Sequence, residues 1–445
     1  MRFSNLLLGS AAILATGSAY AADLPSKKSA PVEFVRVCSA QGAGFFYIPG
    51  TDTCIRIGGR ARFDYGYGQP FTRGDNVTGM KSLGRIQADV RNATEYGLLR
   101  AYVRLQLGRG NGALASGTGN GTAIVGSAVP STSTSIELDR AYVQFGGLTA
   151  GRTQSFFDFY AGDLEVIGTT AGDGSAHNML AYSASFGKGF SATIALEDPI
   201  ETRSGVTVVT GPTIGKYAGA GAPDVVANLR VEQGWGAAQL SGAVHQVRVV
   251  NTTAAIGGFA PSAEYGFAVN GGVQFNLPFA AGDQLWLQGT YTKGNPSRVT
   301  GNGISTGVGA IGFGLPDAFT TANGGTGKLD LVTAWGLTAA AIHNWTPTVS
   351  TSVFGSYAKV DVGGSTFTAA GGATGANSVR DFTYWTVGGN VAWSPVKDFV
   401  IAAEVDYLRV ESSNGGVFSG LANSPRVLVK SDDAIISRLR IQRDF

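Results

Sequence analysis

The chain has 445 residues, of which 66 are glycine and only 14% are charged, and its formal net charge is +2. Soluble proteins carry about 25% charged residues, while a membrane-spanning helix needs about 18 or more consecutive apolar residues, which no window after the first 21 residues contains. The composition therefore argues against a cytosolic protein and against a helical membrane protein, and the near-neutral charge argues against nucleic-acid binding.

The first residues predict export. Arg2 supplies a positive start, Leu6 to Leu14 are mostly apolar, and Ala19-Tyr20-Ala21 is a small-x-small cleavage site. This order is typical of a secretory signal peptide. The apolar run is about 15 residues, short of the ~20 that a spanning helix needs, so residues 1–21 are predicted to be a signal peptide.

The two cysteines of the chain, Cys38 and Cys54, are predicted to form a disulfide. Exported chains oxidise closely spaced cysteines, and closing this loop would contribute about 3 kcal/mol. A redox or metal pair is disfavoured, because the spacing is not Cys-x-x-Cys and no histidine lies nearby. The three histidines are far apart and fit no ligand or triad spacing, so we expect no metal, no cofactor and no enzyme activity.

Most of the remaining chain alternates between apolar and polar residues with a period of two. Arg100, Tyr102 and Arg104, for example, alternate with Ala101 and Val103. Alternate residues of a strand point to opposite faces, so one face is apolar and the other is polar. The pattern predicts sixteen strands, at residues 54–66, 82–94, 97–108, 135–146, 148–154, 180–186, 190–197, 224–233, 235–247, 264–277, 283–293, 329–343, 348–359, 380–393, 399–410 and 434–445.

The predicted connections alternate between short turns and long loops rich in Gly, Ser, Thr, Asn and Asp. This alternation is typical of bacterial outer-membrane barrels, with short periplasmic turns and long extracellular loops. A sheet in a membrane must close on itself because open backbone groups find no water there, and sixteen strands leave a channel that side chains cannot fill. The predicted fold is an all-β, 16-stranded antiparallel transmembrane β-barrel.

Aromatic residues recur beside the predicted short turns, where an interfacial girdle belongs. They are Phe145, Phe186, Phe190, Trp235, Phe275, Trp345, Trp393 and Phe399. The last predicted strand places Leu439, Ile441 and Phe445 on one face, and this ending resembles the C-terminal assembly signal of outer-membrane barrels.

Several longer segments resemble the porins of alphaproteobacteria. They are Ala22-Asp23-Leu24-Pro25, Val35 to Cys38, Gly44 to Cys54, Leu138 to Tyr142 and Gly151 to Asp158. The resemblance implies a homotrimeric porin in the outer membrane of a Gram-negative bacterium, which passes small hydrophilic solutes and ions by diffusion. It also implies that the third long loop, about residues 155–179, folds inward and narrows the pore. The organisation would be a signal peptide (1–21), a periplasmic segment (22–53) and the barrel (54–445).

Carried onto this sequence, the resemblance implies a constriction between acids on the third loop and bases on the wall. The acids are Asp158, Asp163, Glu165 and Asp173. The bases are Arg60, Arg62, Arg85, Arg91, Arg100, Arg104, Arg140, Arg438 and Arg440. Charges of this kind set ion preference in pores, although each arginine could equally form a salt bridge that only stabilises the wall. The loop lacks the Pro-Glu-Phe-Gly-Gly-Asp stretch of enterobacterial porins.

Other functions remain as alternatives. A solute-selective outer-membrane channel would share the same fold. An outer-membrane barrel enzyme would need a nucleophile paired with a histidine at one end of the barrel, and the sequence shows no such pairing. The expected partners are outer-membrane lipid, two further copies of the chain, and the barrel assembly machinery through Phe445.

Overall fold

The structure is a computed structural model. It describes residues 36–70, 73, 75–115, 132–172, 174–208, 214–215, 217–250, 261–301, 307–308, 311–312, 316–320, 328–362, 381–417 and 428–445. The predicted signal peptide lies outside these residues.

Sixteen long strands form one sheet that closes into a barrel. Strands β1 to β16 are Cys54–Gly68, Thr78–Thr94, Gly97–Asn111, Thr132–Phe145, Leu148–Gln154, Ala176–Gly187, Phe190–Glu197, Asp224–Gln233, Gly236–Val247, Glu264–Asn276, Gln284–Lys293, Thr333–Thr346, Val349–Asp361, Phe382–Trp393, Phe399–Val417 and Leu428–Asp444. Each strand pairs antiparallel with the next, and β1 pairs with β16 from Arg60–Asp444 to Gly68–Ile436. The predicted barrel is confirmed.

The remaining described elements are short. A four-stranded sheet joins Val206–Val208 and Ile214–Gly215, from the loop after β7, to Ala318–Thr320 and Leu329–Leu331, from the loop after β11. The helix Ser297–Thr300 lies in the same loop after β11. The remaining short elements are the strand Phe46–Tyr47, the two-residue strands Gly307–Val308 and Ile311–Gly312, and the 3-10 turns Ser39–Gln41, Gly112–Leu114 and Pro199–Thr202. No helix among the described residues is long and apolar enough to cross a membrane.

The alternation of side chains fixes which face of the sheet is outside. On β3, Val103 and Leu105 are more than 40% exposed, whereas Tyr102 and Gln106 on either side of them are buried. This order repeats around the barrel, because each strand points successive side chains to opposite faces. The outer face is therefore apolar, and the inner face carries the polar and charged side chains.

Aromatic residues mark the short-turn end of the outer face. Of the eight predicted girdle residues, seven are at least 39% exposed. Phe445, at the end of β16, exchanges backbone hydrogen bonds with Gly59 on β1. Its ring lies directly over Gly59, where a Cβ atom would come within 2.3 Å of a ring carbon. Glycine is therefore required at position 59 for the terminal aromatic ring to lie against the barrel.

Residues 36–53 fold back over the short-turn end of β1. The strand Phe46–Tyr47 pairs with Cys54 and Ile55, and the predicted disulfide between Cys38 and Cys54 is confirmed. Both cysteines are buried together with Phe45. The disulfide therefore closes a compact segment at the start of the barrel.

Candidate functional site: the lumen of the barrel

The described residues of the third long loop, 155–172 and 174–175, lie inside the barrel. They make hydrogen bonds to inward-facing side chains on eight consecutive strands, β8 to β15. Those side chains are Asn228, Gln239, Asn270, Gln288, Thr338, Ser356, Tyr384, Thr386, Asn390, Glu404 and Asp406. The loop is thus attached along half the circumference of the wall.

Apolar contacts reinforce this attachment. Phe157 belongs to one cluster with buried residues of β6 to β10, four of which are alanines, and Tyr160 packs near Ala340 and Phe354. Phe159 lies over Gly272 on β10, where a Cβ atom would meet the ring at 2.2 Å. Small residues on the inner face of these strands therefore make room for the aromatic side chains of the loop.

One buried carboxylate holds the middle of the loop to the wall. Glu404 on β15 accepts hydrogen bonds from the backbone N–H groups of Val166 (2.7 Å) and Ile167 (2.5 Å). It also accepts one from the side-chain amide of Asn390 at 2.7 Å, and it is 1% exposed. Because buried N–H groups need acceptors, Glu404 fixes the path of the loop at this point.

A second buried cluster holds the base of the loop. Arg298, from the helix in the loop after β11, is fully buried; its Nη2 lies 3.2 Å from Glu197 and 3.5 Å from Asp224. Its Nη1 donates to the hydroxyl of Ser155 at 2.9 Å, and Ser155 donates to Glu197. Arg298 therefore joins two long loops to the ends of β7 and β8.

The structure places the four predicted acids differently from one another. Asp158 accepts a hydrogen bond from Gln154, and Asp163 is exposed at the turn of the loop. Glu165 is buried and accepts hydrogen bonds from the backbone of Thr169 and Thr170 and from two hydroxyls of the same loop. Its carboxylate thus organises the loop itself. Asp173 lies outside the described residues.

The nine predicted arginines lie together on the arc of wall that the third loop leaves uncovered. Arg438 and Arg440 are on β16, and the others follow on β1 to β4, which are adjacent strands across the seam of the barrel. Their alternation with exposed apolar residues places them on the inner face. The lumen therefore has a basic arc, formed by β16 and β1 to β4, opposite the arc that the loop covers.

Aspartates bind most of these arginines, and two of the aspartates each bind more than one arginine. Asp89 accepts hydrogen bonds from both Arg91 and Arg100, at 2.7–3.0 Å. Asp139 likewise contacts Arg104 and Arg140. Asp444 holds Arg60 with two hydrogen bonds, and a further aspartate, Asp64, holds Arg440 in the same bidentate manner.

A β-bulge places Asp139 in the lumen. Arg104 pairs with Arg140, but the next residue of β3, Leu105, pairs with Leu138, so Asp139 is the extra residue on β4. A bulge lets two successive side chains point to similar sides. Asp139 and Arg140 can therefore both reach Arg104, which a strict alternation would not allow.

Sequence reasoning missed Glu404, Arg298 and the shared aspartates. Glu404 is one polar residue among many in an alternating strand, and Arg298 lies in a glycine- and serine-rich stretch without a pattern. The signal that could have identified Arg298 is its charge in a long loop that contains few charged residues. Within the described residues, no group of three or more His, Cys, Asp or Glu side chains could hold a metal ion.

Comparison with known proteins agrees with this architecture. A protein-family model described as a porin subfamily matches residues 23–435. Porin Omp2b of Brucella suis biovar 1 (strain 1330) is 33% identical over 300 residues, which cover 66% of this chain and 75% of that protein. Porin Omp2b of Brucella melitensis biotype 1 is similar to the same extent.

A solved structure shares the fold. The outer membrane channel DcaP of Acinetobacter baumannii superimposes with a TM-score of 0.61 at 13% identity, over 90% of this chain and 99% of that one. At this identity the likeness concerns the fold alone. With the closed sixteen-stranded sheet and the family match, it leads to one conclusion: the chain belongs to the porin subfamily, among the general porins of alphaproteobacteria, and is an outer-membrane β-barrel channel of a Gram-negative bacterium.

Proposed function

We propose that the lumen is a water-filled path through which small hydrophilic solutes and ions diffuse passively, and that the third loop narrows it. The observation that carries the proposal is the attachment of residues 155–175 to the inner face of β8 to β15. A loop held along one side of the lumen reduces the open cross-section and leaves the path between itself and the basic arc.

The charges on the two sides of this path support a role in ion preference. Asp163 is exposed on the loop, and Asp158 lies near the base of the loop, beside Gln154. The basic arc lies on the part of the wall that the loop does not cover, so a transverse field would act on passing ions. Glu165 would contribute to this field indirectly, by keeping the loop in shape; the role of Asp173 remains a proposal from the sequence.

Reconstitution of the purified protein in planar lipid bilayers tests the channel proposal. We expect stepwise current increments that are linear with voltage, and a cutoff in solute size that is smaller than the bare sixteen-stranded barrel would give. Absence of current from correctly folded protein would contradict the channel proposal. A solute-size cutoff as large as that expected of the bare barrel would contradict the narrowing role of the loop.

We further propose that residues 22–53 are a periplasmic segment lying at the channel mouth. The support lies in residues 36–53: Phe45 packs beneath the guanidinium groups of Arg56 and Arg91, at 5.0 and 4.6 Å, and Arg91 donates to the carbonyl of Gln41. Arg91 belongs to the inner face, so the segment covers part of the lumen wall at this end.

The disulfide provides a test of that placement. Replacing Cys38 and Cys54 together by serine is expected to release the segment, since the cross-link contributes about 3 kcal/mol. Channel conductance should rise, and the segment should become sensitive to protease while the barrel stays resistant. The Phe45→Ala variant, with its disulfide intact, should show a smaller change. Unchanged conductance and protease resistance in the serine variant would contradict the placement.

The remaining partners follow from the apolar outer face. We propose that outer-membrane lipid and two further copies of the chain cover it, and that the barrel assembly machinery reads the terminal Phe445, which is 69% exposed. No catalytic or cofactor role is part of the proposal, because the family and the fold are those of a channel.

A further inference from the structure

The basic arc contains three pairs of arginines that lie directly opposite one another on adjacent strands. The pairs are Arg60 with Arg85, Arg91 with Arg100, and Arg104 with Arg140. Like charges that face each other across a sheet repel. Such pairs therefore require an anion between or beside them.

Within the described part of the chain, each pair forms ion pairs with a single aspartate. Asp89 serves Arg91 and Arg100, and Asp139 serves Arg104 and Arg140. For the third pair, Asp444 binds Arg60. A carboxylate carries one negative charge, so each pair keeps an excess of one positive charge after its aspartate is counted.

Arg85 differs from the other five arginines of these pairs. Its Nε and Nη2 both donate to one neutral acceptor, Oε1 of Gln106, at 3.0 and 2.6 Å. Among the described residues, no carboxylate oxygen forms an ion pair with Arg85. Arg85 is partly exposed on the inner face, and an amide oxygen neutralises no charge.

The whole arc is positive. The inner faces of β16 and β1 to β4 carry eleven bases, which are Arg56, Arg60, Arg62, Lys81, Arg85, Arg91, Arg100, Arg104, Arg140, Arg438 and Arg440. The described acids on the same faces are Asp64, Asp89, Glu137, Asp139, Asp432 and Asp444.

The acids on the opposite side of the lumen offset this charge only in part. Glu165, Glu404 and Asp406 are buried between the third loop and the wall. Backbone N–H groups compensate the carboxylates of Glu165 and Glu404, and Asp406 accepts from the hydroxyl of Thr169. Of the remaining described acids of the loop, Asp163 is exposed and Asp158 accepts a hydrogen bond from Gln154. An ion that moves along the arc therefore meets more exposed positive than negative charge.

We propose that the channel prefers anions, and that Arg85 is the side chain that contacts a carboxylate or phosphate group in transit. At Arg85 an anion replaces a neutral partner, whereas at the other paired arginines it must compete with an aspartate. Guanidinium groups bind carboxylate and phosphate through two parallel hydrogen bonds. This inference rests on the proposed channel function and names the class of solute that the channel favours.

Reversal potentials in a KCl gradient across a planar bilayer test the preference. We expect chloride to be more permeable than potassium, and the ratio to fall as KCl is raised from 0.1 M to 1 M, because the screening length shrinks from about 10 Å to about 3 Å. A potassium phosphate gradient extends the test to an oxyanion. Phosphate should likewise be more permeable than potassium.

Variants at Arg85 test the residue. Removal of one unit charge several ångströms from the ion path in water should lower the permeability ratio about twofold in Arg85→Gln. Arg85→Glu should lower it further, and Arg85→Lys should preserve it. Arg409→Gln is the matched control, since Arg409 lies on the outer face of β15 and pairs with Glu411. It should leave the ratio unchanged.

The outcomes separate this inference from the channel proposal. Absence of current would remove the channel function itself. Open channels with a wild-type ratio at or below one would overturn the anion preference alone. The Arg85→Gln variant must first show the wild-type shift in gel mobility on heating, which indicates a folded barrel. A permeability ratio in that variant equal to that of the wild type would overturn the assignment of Arg85.

Discussion

Loss of the Arg298 guanidinium is expected to destabilise the loop side of the barrel by about 3–5 kcal/mol, the usual effect of leaving a buried charge unpaired. Arg298, Glu197 and Asp224 are all fully buried. In Arg298→Ala, two carboxylates would remain without their cation, and Ser155 would lose a donor. The midpoint of thermal unfolding in detergent should fall, and the base of the third loop should become accessible to protease.

Two controls distinguish charge from packing in that experiment. Arg409→Ala removes a guanidinium from an exposed ion pair with Glu411, and exposed pairs contribute only about 0–1 kcal/mol. Adding Glu197→Gln and Asp224→Asn to Arg298→Met removes the buried charges together, and should restore much of the lost stability. A single Arg298→Ala variant as stable as Arg409→Ala would show that this cluster does not hold the loops.

Removal of the Glu404 carboxylate is expected to release the middle of the third loop. In Glu404→Ala the backbone N–H groups of Val166 and Ile167 lose their acceptor while they remain buried. Each unsatisfied buried donor costs about 1–3 kcal/mol, so the attachment should weaken by about 2–6 kcal/mol. Single-channel recordings should then show larger and noisier open currents, because the loop would no longer hold one position.

Glu404→Gln and Glu411→Ala serve as controls for this prediction. The amide of glutamine keeps one acceptor oxygen, so conductance should lie between that of the wild type and that of the alanine variant. Glu411 is an exposed residue farther along the same strand, and its removal should change neither conductance nor noise. If the Glu404→Ala variant gave currents with the same size and noise as those of the wild type, Glu404 would have no anchoring role.

The alternation of residues predicted the membrane-spanning parts of the strands more accurately than their loop-side ends. The predicted bounds 190–197 and 224–233 agree with the structure, whereas β2 begins at Thr78, four residues before its predicted start. Strand β15 continues to Val417, well past predicted residue 410. Beyond the apolar band, both faces of a strand contact water or other loops, so the apolar–polar contrast disappears. The sequence pattern then predicts these strand ends to be loops.

One predicted strand start was wrong for a different reason. The sequence pattern placed the start of the twelfth strand at residue 329, but β12 begins at Thr333. Leu329–Leu331 instead pairs with Ala318–Thr320 in the small sheet of the loops. The apolar alternation there reflects burial in a loop subdomain, where Leu329 and Ala318 belong to one cluster, and a period of two cannot distinguish the two settings.

The sequence is sufficient to predict which side chains face the lumen, but not which partners those side chains bind. Alternation alone indicates that Arg100 and Arg104 share a face. Which aspartate each arginine binds depends on register, and the bulge that places Asp139 beside Arg104 has no signature in the residues around it. Similarly, Glu404 is 237 or more positions away in sequence from the loop N–H groups that donate hydrogen bonds to it. Local sequence patterns carry no information at that separation.

The seam between β1 and β16 has a consequence for how the protein folds. Arg60 and Asp444, which pair across the seam, are 384 positions apart in the chain, and contacts of such long range form slowly because a very large loop must close first. Until these two strands pair, Cys54–Gly68 and Leu428–Asp444 are unpaired edges of an open sheet that can pair with other chains. Closure therefore depends on the final residues, and a chain that lacks its last strand would leave β1 and β15 as open edges.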